Sequence, residues 1–215
     1  MTSGGCLVLS TRGIKARPRH LLRDLLRLLP HAIESSKLDT DDGLEQVVGK
    51  CEDSDCSSAM LLDCRDRRRV YMWLANCPEG PSAMLRVLNM HTVAELKLDA
   101  RRVLGARNVL VFDPVFSHGA EKQVLRELLT RVFSVPRSRG KRVSAATSTG
   151  TRESVARHTV SFSWLDGSIW IRVYRMDVSE IDPQQTELNE IGPRLVLRPI
   201  RIIAGGFSGS ILNGT

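Results

Sequence analysis

The residues of this sequence best suited to chemistry are its arginines, and the chemistry they suit is the holding of phosphate. Arg12, Lys15, Arg17, Arg19, Arg23 and Arg27 stand against a single acid, Asp24, so residues 12–27 carry six basic groups, one acidic group and a net +5. A planar guanidinium offers donors in a fixed fork that fits two phosphate or carboxylate oxygens at once, which an ammonium cannot do. Arg19, Arg23 and Arg27 recur every four residues and share one face of any helix that carries them. Pro18 suits the first turn of such a helix, where free N–H groups favour anions. Arg67 and Arg68 lie in the turn Arg65-Asp-Arg-Arg-Arg. A third run, from Ser134 to Arg157, holds Arg137, Arg139, Lys141, Arg142, Arg152 and Arg157 against Glu153 alone, again six against one and +5. Arg194 follows Gly192-Pro193, a pair able to shape a turn that presents it. The competing readings are a solvated helix face, a hairpin tip at 65–69, an unstructured linker at 134–157 and a purely structural turn at Arg194. Contacts of this type go mainly to the backbone of a nucleic acid and position the protein without reading sequence.

Other chemistries find less support. From Glu34 to Asp63 there are nine acids and two lysines, a net −7 that would repel phosphate and suits solvent or a basic protein. Cys51, Cys56, Cys64 and Cys77 lack the two close pairs of a structural zinc site, so ordinary reduced thiols are expected. The histidines sit in no catalytic motif. His91 and Glu95 share a helical spacing, which more often means packing or surface than general base chemistry. Gly205-Gly-Phe-Ser-Gly has neither the lysine nor the strand-to-helix setting of a phosphate loop and reads as a flexible segment. Neither an enzyme, nor a cofactor, nor a small-molecule substrate is expected.

Composition bounds these readings. The chain has 215 residues, 42% of them hydrophobic, enough for a core. With 31 Lys+Arg against 24 Asp+Glu it carries +7, a balance that suits nucleic acid or an acidic partner. No apolar run approaches the ~20 residues that span a bilayer, and Cys6–Leu9 is too short for a signal peptide, so no membrane role is expected. Five cysteines, an odd number, point to reduced thiols inside a cell. Aromatics make up only 5%, which argues against binding a single strand through many stacked bases.

The elements that must position the arginines follow from periodicity. Cys6–Leu9 reads as a buried strand and Leu21, Leu22, Leu25, Leu28 and Leu29 as the apolar stripe of a helix closed by Pro30. Glu34–Asp55 reads as loop with short structured pieces. Strands are expected at Met60–Leu62, Val70–Leu74, Met84–Met90 and Val109–Phe112, and a second long helix at Ala120–Phe133. Asp166-Gly167 between Thr159–Trp164 and Ile169–Tyr174 is a hairpin signal. Leu195–Ile203 is strand-like, with Pro199 demoting it to an edge or a bend. Trp73, Trp164 and Trp170 fall in apolar strand patterns and read as core, as do Phe112, Phe116 and Phe133.

Several stretches, taken together and in order, resemble the Brix-domain family of eukaryotic ribosome-assembly proteins. They are Arg17-Pro-Arg-His-Leu-Leu-Arg-Asp-Leu, Tyr71-Met-Trp-Leu-Ala-Asn, Gly80-Pro-Ser-Ala, Asn89-Met-His-Thr-Val-Ala-Glu-Leu-Lys and Phe112-Asp-Pro-Val-Phe. Glu127-Leu-Leu with Val132-Phe-Ser-Val-Pro-Arg, Ile169-Trp-Ile-Arg and Glu190-Ile-Gly-Pro-Arg-Leu-Val-Leu follow, and the closing Gly205-Gly-Phe-Ser-Gly fits as well. The resemblance implies an α/β fold, a Brix domain of two similar α/β halves, each resembling a class II tRNA synthetase anticodon-binding domain. On this chain that means a single domain over 1–215, with halves of about 5–133 and 158–208 joined by a basic linker at 134–157. It further implies a non-catalytic factor of large-subunit assembly in the nucleolus. Its partners would be ribosomal RNA of the large-subunit precursor, other assembly factors and ribosomal proteins. The alternative is a protein-interaction scaffold in the pre-ribosome with little direct RNA contact.

Overall fold

The computed structural model describes residues 4–39, 41–98, 108–136, 158–178 and 186–214. Arg137, Arg139, Lys141 and Arg142, with the rest of 137–157, lie outside the described residues. In chain order the elements are β1 (Gly5–Ser10), α1 (Ala16–Leu28), β2 (Ala32–Glu34), α2 (Gln46–Asp53), β3 (Cys56–Asp63), β4 (Val70–Asn76), β5 (Ser82–His91) and α3 (Val93–Leu96). They continue with β6 (Asn108–Phe112), a 3-10 turn over Pro114–Ser117, α4 (Ala120–Phe133), β7 (His158–Leu165), β8 (Ser168–Val178), β9 (Thr186–Glu190), β10 (Arg194–Ile203) and β11 (Ile211–Gly214).

Among the described residues the strands form one mixed sheet in the order β2-β1-β3-β4-β5-β10-β8-β7-β6, with β9 beside β8 and β11 beside β10. The succession strand, helix, parallel strand and two antiparallel strands occurs twice, as β1-α1-β3-β4-β5 and as β6-α4-β7-β8-β10. The two copies meet where β5 and β10 pair antiparallel from Ser82↔Ile203 to His91↔Arg194.

Alternation along the strands decides what each face carries. On one face Cys6, Val8, Met60, Leu62, Met72, Leu74, Val160, Phe162, Ile169, Ile171, Leu195 and Leu197 form a single core with both long helices. Helix α1 contributes Leu21, Leu22, Leu25 and Leu28, and α4 contributes Leu125, Leu128, Leu129, Val132 and Phe133. Each such buried side chain stabilises the fold by about 1.5–3 kcal/mol relative to exposure. The Asn108 amide ties the two helix ends together, donating to the carbonyls of Leu28 and Phe133. On the opposite face of the first half a second cluster gathers Leu7, Leu9, Leu61, Trp73 and Ala75 under α2 and the segment around Leu38.

Four features refine or depart from the sequence reading. Within the stretch read as loop with short structured pieces, Gln46–Asp53 form the helix α2, with Val47 and Cys51 buried and Val48 packed partly buried against the core. The polar stretch before Ile191 contains the strand β9, ordered by its ladder with β8. Strand β10 is central rather than an edge, and Pro199 sits where its register with β5 shifts. The Gly205–Gly209 segment is a packed turn, not a flexible one. Phe207 is buried against Trp73, and the Ser82 hydroxyl donates to the Gly205 carbonyl while accepting from the Phe207 N–H. Among the described residues no helix is long and apolar enough to cross a membrane.

Candidate nucleic-acid interface

Three of the basic segments converge because of strand direction. Strands β1 and β3 are parallel, with Ser10 opposite Leu62, so they stop at one end of the sheet. Helix α1 starts from that end, and the turn Cys64–Arg69 lies there too. Lys15, at the N-terminal boundary of α1, donates from Nζ to the Arg67 carbonyl at 2.8 Å and fastens the two basic segments together. Strand β5 runs parallel to β3 across β4 and ends there at His91. Arg17 donates to the Met90 carbonyl and pairs with Glu95 at 2.7 Å. Strand β10 begins at the same place, with Arg194 opposite His91.

The N-terminus of α1 is of a kind that suits an anion. Its first turn contains no acid and no side chain caps it. Free N–H groups and the positive end of the helix dipole thus lie beside Lys15, Arg17 and Arg19 in the chain. Arg19, Arg23 and Arg27 are all exposed, and Arg19 is steadied by the Ile14 carbonyl at 3.0 Å. Asp24 alone turns inward. It is buried and accepts from the Val93 N–H at 2.9 Å, so the one acid of the segment docks α3 rather than diluting the basic face. Burial pushes its carboxyl up from the ordinary value, against the Val93 hydrogen bond.

The charges are not all equally available. Arg12 pairs with Asp39 and Arg17 with Glu95. The Glu95 carboxyl lies below its usual range, first through the Thr92 N–H and then through Arg17. Arg194 engages Glu190 in a two-pronged contact, Nε to Oε1 at 2.6 Å and Nη2 to Oε2 at 2.7 Å, and Arg172 approaches the same carboxylate at 3.3 Å. Arg194 above all holds the Glu190 carboxyl below its usual value. Among the described residues no carboxylate pairs with Arg23, Arg27, Arg67 or the Arg68 guanidinium.

Residues 11–201 match the Brix domain. The chain belongs to the Brix domain family. The span contains every basic residue singled out in the sequence, from Arg12 to Arg194. This Brix domain is 38% identical over 206 residues to the ribosome biogenesis protein BRX1 homolog of Xenopus laevis, covering 96% of this chain and 56% of that protein. It is 37% identical over 206 residues to the human protein of the same name, covering 96% and 54%. The chain thus spans a little over half the length of these curated relatives. A solved structure described as a "probable ribosomal biogenesis protein" from Aeropyrum pernix K1 superposes with a TM-score of 0.56 at 14% identity, over 91% of this chain and 96% of that one. That likeness shows the shared fold.

The fold gathers Cys6, Cys51, Cys56 and Cys77 near one another in the first half. Among the described residues no group of three or more His, Cys, Asp or Glu is arranged to hold a metal. Burial pushes the Cys6 thiol up to about 12 and Cys64 to about 11. Trp170, expected in the core, stands half-buried on the outer face of the second half, together with residues the sequence reading passed over. In Ile169-Trp-Ile-Arg-Val-Tyr the isoleucines and Val173 face the core, so Trp170, Arg172 and Tyr174 face outward, and that alternation was the available signal.

Proposed function

We propose that this Brix domain is a non-catalytic factor that grips ribosomal RNA of the large-subunit precursor by its phosphates during assembly in the nucleolus. The observation that carries the proposal is the Lys15–Arg67 contact, which joins the α1 face to the β3–β4 turn and makes one surface of two basic segments. On it Arg23, Arg27, Arg67 and Arg68 have no carboxylate partner among the described residues. A rigid helix face of this sort recognises folded RNA by shape and backbone. The names of the relatives as ribosome biogenesis proteins support the assembly role. Arg137, Arg139, Lys141 and Arg142 would extend the RNA contact. Arg194 would take part only by sharing its fork with Glu190.

A second reading, docking of other assembly factors or ribosomal proteins with little RNA contact, is favoured by β6. That edge strand pairs only with β7 among the described residues and exposes Val109 and Val111. A partner strand could add there. Crosslinking in isolated pre-ribosomal particles decides between the two. RNA crosslinks at residues 12–27 and 65–69 are expected, whereas protein crosslinks alone would refute the RNA grip.

A further inference from the structure

The two copies of the strand pattern differ on the outer face of the sheet. In the first, Trp73 of β4 lies opposite Leu61 of β3 and is covered: it is 1% exposed, with the Phe207 ring at 5.8 Å and the Arg201 guanidinium 5.2 Å above it. In the second, Trp170 of β8 lies opposite Ser163 of β7 in the corresponding place. It is half-buried, and among the described residues no ring or cation stacks on it. Instead it lines an open pocket of about 140 Å³ with Asn89, His91, Arg172, Arg194 and Val196.

The register explains that gathering. Val196 pairs with Trp170 on one side and Asn89 on the other, and Arg194 pairs with His91. Three neighbouring strands thus present an indole, an amide, an imidazole and guanidinium groups on one flat patch. Glu190 holds Arg172 and Arg194 together without cancelling them, since two cations face one carboxylate, and exposed Arg198 adds another cation on β10. The patch is therefore net positive with an aromatic floor. It adjoins the basic segment at one point: Arg17 donates to the Met90 carbonyl, and the flanking Asn89 and His91 line the pocket.

We infer that this pocket receives one unstacked base of single-stranded RNA, laid on the Trp170 indole, with Arg172 and Arg194 toward the adjoining phosphate and Asn89 toward the base edge. The inference rests on the proposed RNA grip and extends it from backbone to base. A planar heterocycle fits a space this small, well under the roughly 300–1,000 Å³ of sites for larger ligands. Aromatic side chains on which bases stack, beside cations for the backbone, are the ordinary means of holding unpaired RNA.

The test uses a short oligouridylate carrying 5-iodouridine and a blunt RNA duplex. Irradiation of the unaltered chain with the oligouridylate should crosslink Trp170, read by mass spectrometry. Trp170→Ala should lower oligouridylate affinity about tenfold and leave duplex affinity unchanged, and Trp170→Phe should restore most of the loss. Equal loss on both RNAs, no loss on either, or crosslinks confined to α1 would overturn the pocket. Capture of a protein strand or peptide there with no RNA crosslink would overturn it as well. Arg23→Gln, Arg27→Gln and Arg67→Gln combined should weaken both RNAs, and an unchanged triple variant would instead refute the underlying grip.

Discussion

Neutralising Arg23, Arg27 and Arg67 together should flatten the salt dependence of RNA binding by a calculable amount. Among the described residues none of the three forms an ion pair, so each is available to displace a counterion from a phosphate. Each phosphate contact contributes about 0.7 to the slope of log K against log salt for a single strand and about 0.9 for a duplex. Three glutamines should therefore make the slope shallower by about 2–3. Over a fourfold rise in salt that slope difference amounts to roughly 20–40-fold, so the affinity gap between the original chain and the variant should be wide at low salt and close by that factor. Fluorescence anisotropy with a labelled RNA at several salt concentrations reads this directly. Arg12→Gln serves as the control, because Asp39 already neutralises that guanidinium group. It should move the slope by less than one contact. A triple variant with an unaltered slope, or a control that matches it, would refute the assignment of free and engaged charges.

Other perturbations probe the scaffold. Asp24→Ala strips the Val93 N–H of its acceptor and should cost about 1–3 kcal/mol in urea denaturation without weakening RNA binding. Gly80→Ala should cost about 2–4 kcal/mol, since Gly80 has φ +90 and a Cβ there would stand 2.3 Å from the Gly205 carbonyl carbon; an unmoved denaturation midpoint would contradict the packed turn. Leu25→Ala should cost about 2–5 kcal/mol through the cavity it leaves under α1. Because Arg194 and Arg172 depress the Glu190 carboxyl, its contribution to stability is complete above the unfolded carboxyl value and is lost as pH falls through the folded one. Glu190→Gln should therefore flatten the acid limb of the stability profile, below about pH 5.

What was legible in the sequence was whatever depends on near neighbours. The stripes Leu21–Leu29 and Val124–Phe133 gave both long helices, since a 3.6-residue period needs no distant partner. Asp166-Gly167 gave its hairpin because the turn needs positive φ, and the two residues adopt +49 and +67. Helix α2 and strand β9 were hidden: one has only a short apolar stripe, and the other is polar apart from the exposed Leu188 and is ordered by β8. Pro199 misled because a proline penalises a central strand only where its missing N–H is needed, and a register shift relieves that need. In the candidate site the positive charges were visible, but their partners Asp39, Glu95 and Glu190 arrive through the fold. So does the Lys15–Arg67 contact, which spans 52 residues. Trp170 looked like its buried counterpart Trp73 because both sit in apolar runs, and only the covering turn at Phe207 tells them apart.

The long antiparallel match of β5 with β10 has a consequence for biosynthesis. Strand β5 leaves the translating ribosome on the order of a hundred residues before its partner, a wait of roughly 5–20 s at common elongation rates. Throughout that interval its ten residues offer a bare ladder of amide and carbonyl groups to any passing strand. A nascent chain of this family thus needs shielding just when β4 and β5 have formed their hairpin, and cotranslational chaperone capture should peak there and vanish once Ile203 emerges.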